Sequence, residues 1–344
     1  MVLRAIFVFI MTGDGVIKVI WVAVVLSVLS AQSYANEQKG KWEPGVSGTI
    51  AMLAGGAQSN SRLDSGPKNI DSLSGTGEDK MEAFFFPLAA SHVDYTFANG
   101  NSRVQFGMQE ADIALGRPHI ELGYHQYVDN LGTFKFSYLP GILSATTWKD
   151  PYLVGEDRSE TDRNIQGVRF QYSDILSSRF GLEMAYGDQK IDDELSGISF
   201  SPTAQQALDR NGDLYFIELS HLDPISKTWL VRSSVNYMRK DLSGKAMSSN
   251  KYTGQVAFLK RLAKGTFTVS ATYHYEDFEN VNPIFQDTRS DNGVGIMSTY
   301  VYKAPFNLKN VGLVALLGYH QDFSNIDFYD NYNVSVGTGV SYDF

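Results

Sequence analysis

Apolar and polar residues alternate with a period of two along most of the chain after residue 36. In the run TFTVSATYHY at 266–275, every odd position is apolar or aromatic and every even position is polar. The same alternation recurs at 134–138, 168–172, 180–186 and 229–237. Because successive side chains of a strand point to opposite faces, the pattern predicts strands with one apolar face. The sequence therefore indicates an all-β protein.

Connections between these strands alternate in length. Short turns are predicted at 99–100, 129–132, 174–177, 222–225, 262–265 and 304–307, and long loops near 58–82, 147–163, 191–212 and 279–291. This spacing gives about fourteen strands, or twelve if the weak second hairpin is misread. Both chain ends then fall on the short-turn side, and aromatic residues lie toward the strand ends, as in bacterial outer-membrane barrels.

These features predict a transmembrane antiparallel up-and-down β-barrel rather than a β-sandwich. No edge amide finds water in hydrocarbon, so a sheet that crosses a membrane must close on itself. We therefore expect residues 36–344 to form one barrel in the outer membrane of a Gram-negative cell.

The first 35 residues have the features of a signal peptide. An apolar run at 19–29 follows Lys18, and small residues at Ser33 and Ala35 suit cleavage near Ala35. The run is shorter than the ~20 apolar residues that a transmembrane helix needs. Residues 1–15 fit the leader poorly because they contain a second apolar patch and Asp14. We hypothesise that translation starts at Met11 or Val16 and that 1–15 reflects a misplaced start codon.

Composition excludes several classes of protein. With no cysteine, the chain has neither disulfides nor a thiolate metal site. The formal net charge of −9 argues against a nucleic-acid partner, which would require a basic surface. An aromatic content of 13% argues against disorder.

The last strand resembles the outer-membrane assembly signal. Phe344 is preceded by apolar or aromatic residues at alternate positions, among them Val340 and Tyr342. A strand of this kind can add to the open edge of an assembly machine. We therefore expect the barrel-assembly machinery to be a partner of this segment.

Three further segments resemble a family of Gram-negative outer-membrane proteins known only by a domain-of-unknown-function label. They are WEPGVSG at 42–48, NIDSL at 69–73 and WKDPYL at 148–153. The resemblance spans most of the chain after the leader. It implies a barrel, and it brings no activity and no functional residues.

No catalytic constellation is evident, although barrel hydrolases are a known alternative. Ser91 adjoins His92 and Ser220 adjoins His221, so the members of each pair point to opposite faces of a strand. The acids at 192–193 lack a positioned base, and DRNGD at 209–213 lacks the ligand spacing of a calcium loop. We expect no enzyme activity, no cofactor and no metal site. The remaining histidines are interpreted as polar wall or rim residues: His119, His125, His274 and His320.

With the apolar face outward, charged residues of both signs face the lumen. The lumen-lining candidates are Asp94, Arg103, Glu121, Lys135, Arg169, Arg179, Glu183, Glu218 and Arg232. Such a mixed lattice suits ion pairs that brace the wall, and it equally suits a hydrated pore of modest selectivity. We expect a porin-like channel or transport protein for small solutes, in contact with outer-membrane lipid and lipopolysaccharide. The alternatives are a barrel hydrolase and a structural or surface-receptor barrel without a conducting pore.

Overall fold

The computed structural model describes residues 8–11, 17–20, 41–64, 66–115 and 117–344. The chain divides into two units, Met1–Gln38 and Lys39–Phe344. In the first unit, β1 (Val8–Met11) pairs antiparallel with β2 (Ile17–Ile20). Most of the predicted signal peptide, including the cleavage position near Ala35, lies outside the described residues.

The second unit is a closed antiparallel barrel of fourteen strands. Two of the fourteen are interrupted and consist of two segments each. The elements are β3 (Gly45–Ser59), β4 (Lys80–Phe86) with β5 (His92–Thr96), β6 (Ser102–Gly107), β7 (Glu121–Val128), β8 (Gly132–Leu139) with β9 (Ala145–Trp148), β10 (Glu160–Ser173), β11 (Phe180–Ile191), β12 (Gly212–Pro224), β13 (Trp229–Leu242), β14 (Ser249–Leu262), β15 (Gly265–Asn282), β16 (Asp287–Lys303), β17 (Val311–Ser324) and β18 (Asn331–Asp343). The predicted fold class is confirmed.

Closure is made by the first and last strands of the barrel. β18 pairs antiparallel with β3, so that Val340 lies opposite Met52 and Tyr342 opposite Ile50. The alternation then assigns two faces to every strand. On β13, for example, Val235 is 62% exposed while the neighbouring Ser234 is 6% exposed. The barrel is therefore apolar outside and polar inside, the reverse of a soluble barrel.

The two ends of the barrel differ in their connections. Six short turns and both ends of the sheet lie at one end, which we call the turn end. The opposite, loop end carries the connections 60–79, 108–120, 149–159, 192–211, 243–248, 283–286 and 325–330. α2 (Pro202–Ala207) lies in the fourth of these, and the Ser201 hydroxyl caps it by accepting from the Ala204 amide at 3.0 Å. Among the described residues, no helix is long and apolar enough to cross a membrane.

One predicted loop is wrong. A long loop is predicted near 279–291, but β15 continues to Asn282 and β16 begins at Asp287. After a register shift, Val281 still pairs with Thr288. Asp291 in this range is buried on the inner face, where it binds Arg289 at 2.6 Å, while Glu279 and Asp287 are exposed. Arg289 and Asp291 are two residues apart on β16, so the extended strand places both on its inner face, which a run of charged residues in the sequence does not indicate.

Candidate functional site

The connection between β6 and β7 lies inside the barrel. This inner segment, 108–120, contains α1 (Glu110–Ala114). The Ser270 hydroxyl on β15 donates to the Ala114 carbonyl at 3.2 Å, and the Gln255 amide on β14 donates to the Leu115 carbonyl at 3.3 Å. Its Asp112 side chain contacts β10 on another part of the wall. A segment that touches the inner faces of such separate strands must run through the lumen and narrow it.

Arg169 on β10 anchors the inner segment. Its guanidinium lies 3.0 Å from Asp112 on α1, 2.8 Å from Glu183 on β11 and 3.5 Å from Glu121 on β7. The Arg169 side chain is only 3% exposed, and Glu121 is also bound by Lys135. Buried charges require such partners because isolated ions are costly to desolvate.

The same lattice continues along the wall. Arg117 of the inner segment lies 3.5 Å from both Glu183 and Glu218, and Arg232 on β13 also binds Glu218. The Arg169 guanidinium also donates to His119 Nε2 at 2.8 Å. Positive and negative groups therefore alternate over β7, β8 and β10–β13.

Three of the predicted lumen-lining residues lie near the turn end, and two of them face the interior. Asp94 pairs with Arg103 at 3.1 Å inside the barrel, and the Arg103 guanidinium lies 4.9 Å from the ring centre of Trp42. Arg179, by contrast, lies outside the interior lattice. Its side chain is 57% exposed and pairs with Asp223 at the turn end. Arg179 precedes the first residue of β11, so strand alternation does not orient it. The other predicted lumen residues lie inside the barrel.

A single apolar cluster covers the loop end. Every loop-end connection except the inner segment contributes to it, and we call this cluster the loop cap. Its members from the connections are Leu63, Leu73, Tyr152, Leu208, Ala246, Met247, Ile284, Phe285, Ile326, Phe328 and Tyr329. Because these residues come from all around the ring and meet in one core, the loop cap lies across the mouth.

Hydrogen bonds tie the loop cap together. The Tyr152 and Tyr329 hydroxyls lie 2.8 Å apart, and the Asn282 amide donates to Tyr329 at 2.7 Å. Burial raises the pKa of the Tyr152 phenol well above its usual value. The Arg289 guanidinium lies 3.8 Å from the Tyr329 ring centre, so a cation packs against the aromatic cluster.

The barrel wall is incomplete in its loop-end half. β6 ends at Gly107 and β7 begins only at Glu121, after the inner segment has turned into the lumen. Within the described part of the chain, β4 pairs as a strand only with β3, and β9 only with β10. The other edge of β9 meets the first loop, where the Trp148 amide donates to the Leu63 carbonyl at 3.3 Å. The space between β4 and β9 is here called the wall gap. Its rim carries exposed apolar side chains: Phe85, Phe86, Leu88, Ile142 and Leu143.

The interior next to the wall gap is also apolar. Phe84 points inward over Gly55, where an added Cβ would lie 2.6 Å from its ring. Leu53 and Leu316 lie beside the same surface, around Gly337. Apolar residues of β3, β4 and β17 thus line the lumen on one side of the gap, whereas the charge lattice begins on the other side, at Glu121 of β7.

A second polar constellation lies in the loop-end half of the lumen. His274 on β15 and His320 on β17 direct their Nε2 atoms to the same Oδ1 of Asp322, at 3.0 and 3.1 Å. Between them on β16 stands Gly293, which pairs with both His274 and Asp322. The sequence reading of these histidines as isolated wall residues missed this cluster. The His-x-Asp spacing at 320–322 places two ligands on one face, but only the strand register brings His274 to them.

The fold and interior define the class of this protein: an outer-membrane-type β-barrel with charged groups and a chain segment inside its lumen. The chain belongs to the family described as "Protein of unknown function (DUF2860)", whose family model matches residues 45–343. This confirms the resemblance inferred from the sequence. Comparison with curated proteins gives no significant match.

Solved structures similar to this chain are outer-membrane proteins. The outer membrane channel DcaP of Acinetobacter baumannii is 11% identical with a TM-score of 0.43, covering 89% of this chain and 100% of that one. The loop-deleted OmpT, an outer membrane protein of Vibrio cholerae, is 10% identical with a TM-score of 0.37, covering 86% and 99%. An anion-selective porin from Comamonas acidovorans is 9% identical with a TM-score of 0.38, covering 88% and 100%. Such remote similarities carry no argument about the function of this chain.

Proposed function

We propose that the protein is an integral outer-membrane transport protein for small solutes, and that apolar solutes enter it through the wall gap. The observation that carries the proposal is the combination of a covered loop-end mouth with a missing section of wall. Solutes arriving from the loop end meet the loop cap, whereas those dissolved in the surrounding lipid meet the apolar rim of the wall gap.

The surfaces along this route favour apolar or aromatic molecules. Beyond the rim, Phe84 and Leu53 provide an apolar surface inside the lumen. Further into the lumen, the inner segment carries charged groups of its own, and its Asp112 binds Arg169 of the charge lattice. A solute passing inward would leave apolar contacts and reach hydrated charges, which favours release toward water.

The proposal requires the loop end to face outward from the cell. Long connections of bacterial barrels are external and short turns periplasmic. A tag inserted at Gly155 or Gly197 should therefore be reached by antibody on intact cells, while one at Gly132 or Gly265 should not. Labelling of the Gly265 tag without permeabilisation would contradict this orientation.

Uptake of an apolar dye tests the transport itself. Lipopolysaccharide slows entry of N-phenylnaphthylamine into cells, and the dye becomes fluorescent in membranes inside. Cells that make the protein should take up the dye several-fold faster than cells with an empty vector. In planar bilayers, the purified protein should conduct ions weakly because the loop cap and inner segment narrow the lumen. The absence of both faster dye uptake and ion conductance would favour the structural-barrel alternative and refute the proposal.

Blocking the wall gap distinguishes this route from passage through the mouth. The chain contains no cysteine, so a single introduced cysteine can be labelled selectively. A bulky maleimide on Leu88→Cys or Ile142→Cys should reduce dye uptake several-fold. The matched control is Val235→Cys, which also lies on the outer face but away from the gap. Equal inhibition at all three positions would show that the gap is not the entrance.

A further inference from the structure

We propose that His274, His320 and Asp322 form a binding site for one divalent transition-metal ion inside the barrel. The ligand atoms are two imidazole nitrogens and one carboxylate oxygen, and they all lie within 4.8 Å of one another. This inference is independent of the transport proposal, because it rests on a different part of the lumen.

The distances suit a metal ion. Each histidine Nε2 lies 3.0 or 3.1 Å from Asp322 Oδ1. Zinc bonds to nitrogen and oxygen ligands are about 2.0–2.2 Å long, which places neighbouring ligands of a tetrahedron roughly 3.3 Å apart. An ion therefore fits between these atoms with small side-chain adjustments. His274 is nearly buried, while the His320 side chain is 40% exposed, which leaves an open coordination position toward the lumen.

The backbone leaves room for the three side chains. Gly293 stands between His274 and Asp322 in the strand register. A Cβ at this position would lie 1.9 Å from His274 Cε1 and 2.4 Å from Asp322 Oδ1. Any larger residue would displace the ligands, so the cluster depends on glycine at this place.

The charges around the cluster also favour a cation. Within the described part of the chain, the only ion-pair partners of Asp322 are the two histidines. Nearby Glu276 is bound by Lys240 at 2.7 Å and lies 3.7 Å from Lys251. Asp322 therefore has no Lys or Arg ion pair among the described residues, and Lys251, which is near enough to interact with it electrostatically, has Glu276 as its ion-pair partner.

A second group of two carboxylates and one histidine has similar spacing but is unsuited to a metal ion. Asp112, His119 and Glu121 also bring their ligand atoms within 4.8 Å. However, the Arg169 guanidinium contacts all three of them, and Lys135 binds Glu121. Those ligands are occupied by fixed cations, so a metal ion would be repelled.

The site has an outer partner that orients one ligand. The Asn331 amide donates to Asp322 Oδ2 at 3.1 Å, leaving Oδ1 toward the histidines. Such outer contacts typically contribute about 10–100-fold to metal affinity. Two imidazoles with one carboxylate favour Zn²⁺, Ni²⁺, Cu²⁺ or Fe²⁺ over Mg²⁺ and Ca²⁺, which prefer oxygen ligands alone.

Calorimetric titration of the chelator-treated, folded protein with ZnCl₂ tests the site. We expect one equivalent to bind with micromolar or tighter affinity, and excess Mg²⁺ not to compete. Co²⁺ should bind in place of Zn²⁺ and give visible absorption typical of nitrogen and oxygen ligands. No saturable Zn²⁺ binding up to about 1 mM would overturn the proposal, taking mM affinity as the weak limit of specific binding.

Variants assign the ligands. His274→Ala and Asp322→Asn should each weaken Zn²⁺ binding by more than the ~10–100-fold expected for Asn331→Ala. His221→Ala is the matched control, since that histidine lies near the turn end beside Phe180 and should leave affinity unchanged. Heat-modifiable mobility on gels shows that each variant is folded. If the folded His274→Ala and Asp322→Asn proteins keep wild-type affinity, the ion binds elsewhere and the assignment is wrong.

Discussion

Removal of Arg169 should destabilise the barrel and release the inner segment. Arg169 is buried and binds Asp112, Glu183 and Glu121. In Arg169→Met, Asp112 keeps His119, at 3.7 Å, as its one remaining ion-pair partner among the described residues. Breaking a buried ion pair by removing one partner costs about 3–5 kcal/mol, because the remaining charge is left uncompensated.

Arg179→Met is the matched control. It also removes an arginine bound to a carboxylate, but the Arg179 and Asp223 side chains are 57% and 52% exposed. Exposed pairs of this kind contribute about 0–1 kcal/mol. We therefore expect a difference of at least about 2 kcal/mol between the two variants, taken from those two ranges.

Urea unfolding in lipid vesicles, followed by tryptophan fluorescence, measures this difference. The double variant Arg169→Met with Asp112→Asn should recover part of the loss, because it removes the uncompensated carboxylate along with its partner. Single-channel conductance should rise in Arg169→Met as the inner segment loosens. If Arg169→Met and Arg179→Met unfold at the same urea concentration, the interior lattice does not hold this segment and the reasoning fails.

Three further predictions concern the outer face, the last residue and the loop cap. Val235→Arg should lower the free energy of unfolding by about 2–4 kcal/mol because it places a cation in hydrocarbon. Asn236→Arg, whose side chain would point inward to Glu218, should lower it less. Equal losses of unfolding free energy in urea would mean that the outward face is wrongly assigned. Deletion of Phe344 should leave refolding in detergent nearly unchanged but reduce the amount of protein in the outer membrane, measured by immunoblot of membrane fractions; normal levels would show that the residue is no assembly signal. As pH rises above about 10, the unfolding free energy of the wild type should fall more steeply than that of Tyr152→Phe. The reason is that the phenol ionises there in the unfolded chain, while burial keeps the pKa of Tyr152 higher in the folded protein. Parallel curves of unfolding free energy against pH would contradict that burial effect.

The sequence by itself determined the faces of the strands and the class of fold. Period-two alternation requires only that neighbouring side chains point in opposite directions, so it is readable without knowing any partner strand. It therefore placed Val269 outward and Arg169 inward, and the need to close a membrane-spanning sheet led to the pairing of β18 with β3. Arg179 shows the limit of this rule, because it precedes the strand that would orient it.

Only the tertiary structure decided what lies within and around the barrel. The inner segment reads as an ordinary loop, and its position inside the lumen depends on Arg169 and on carbonyl contacts from distant strands. The wall gap follows from that same displacement, because β6 and β7 stop where the segment turns inward. His274 meets Asp322 through the register of three strands and the space at Gly293, and local sequence does not encode register between strands.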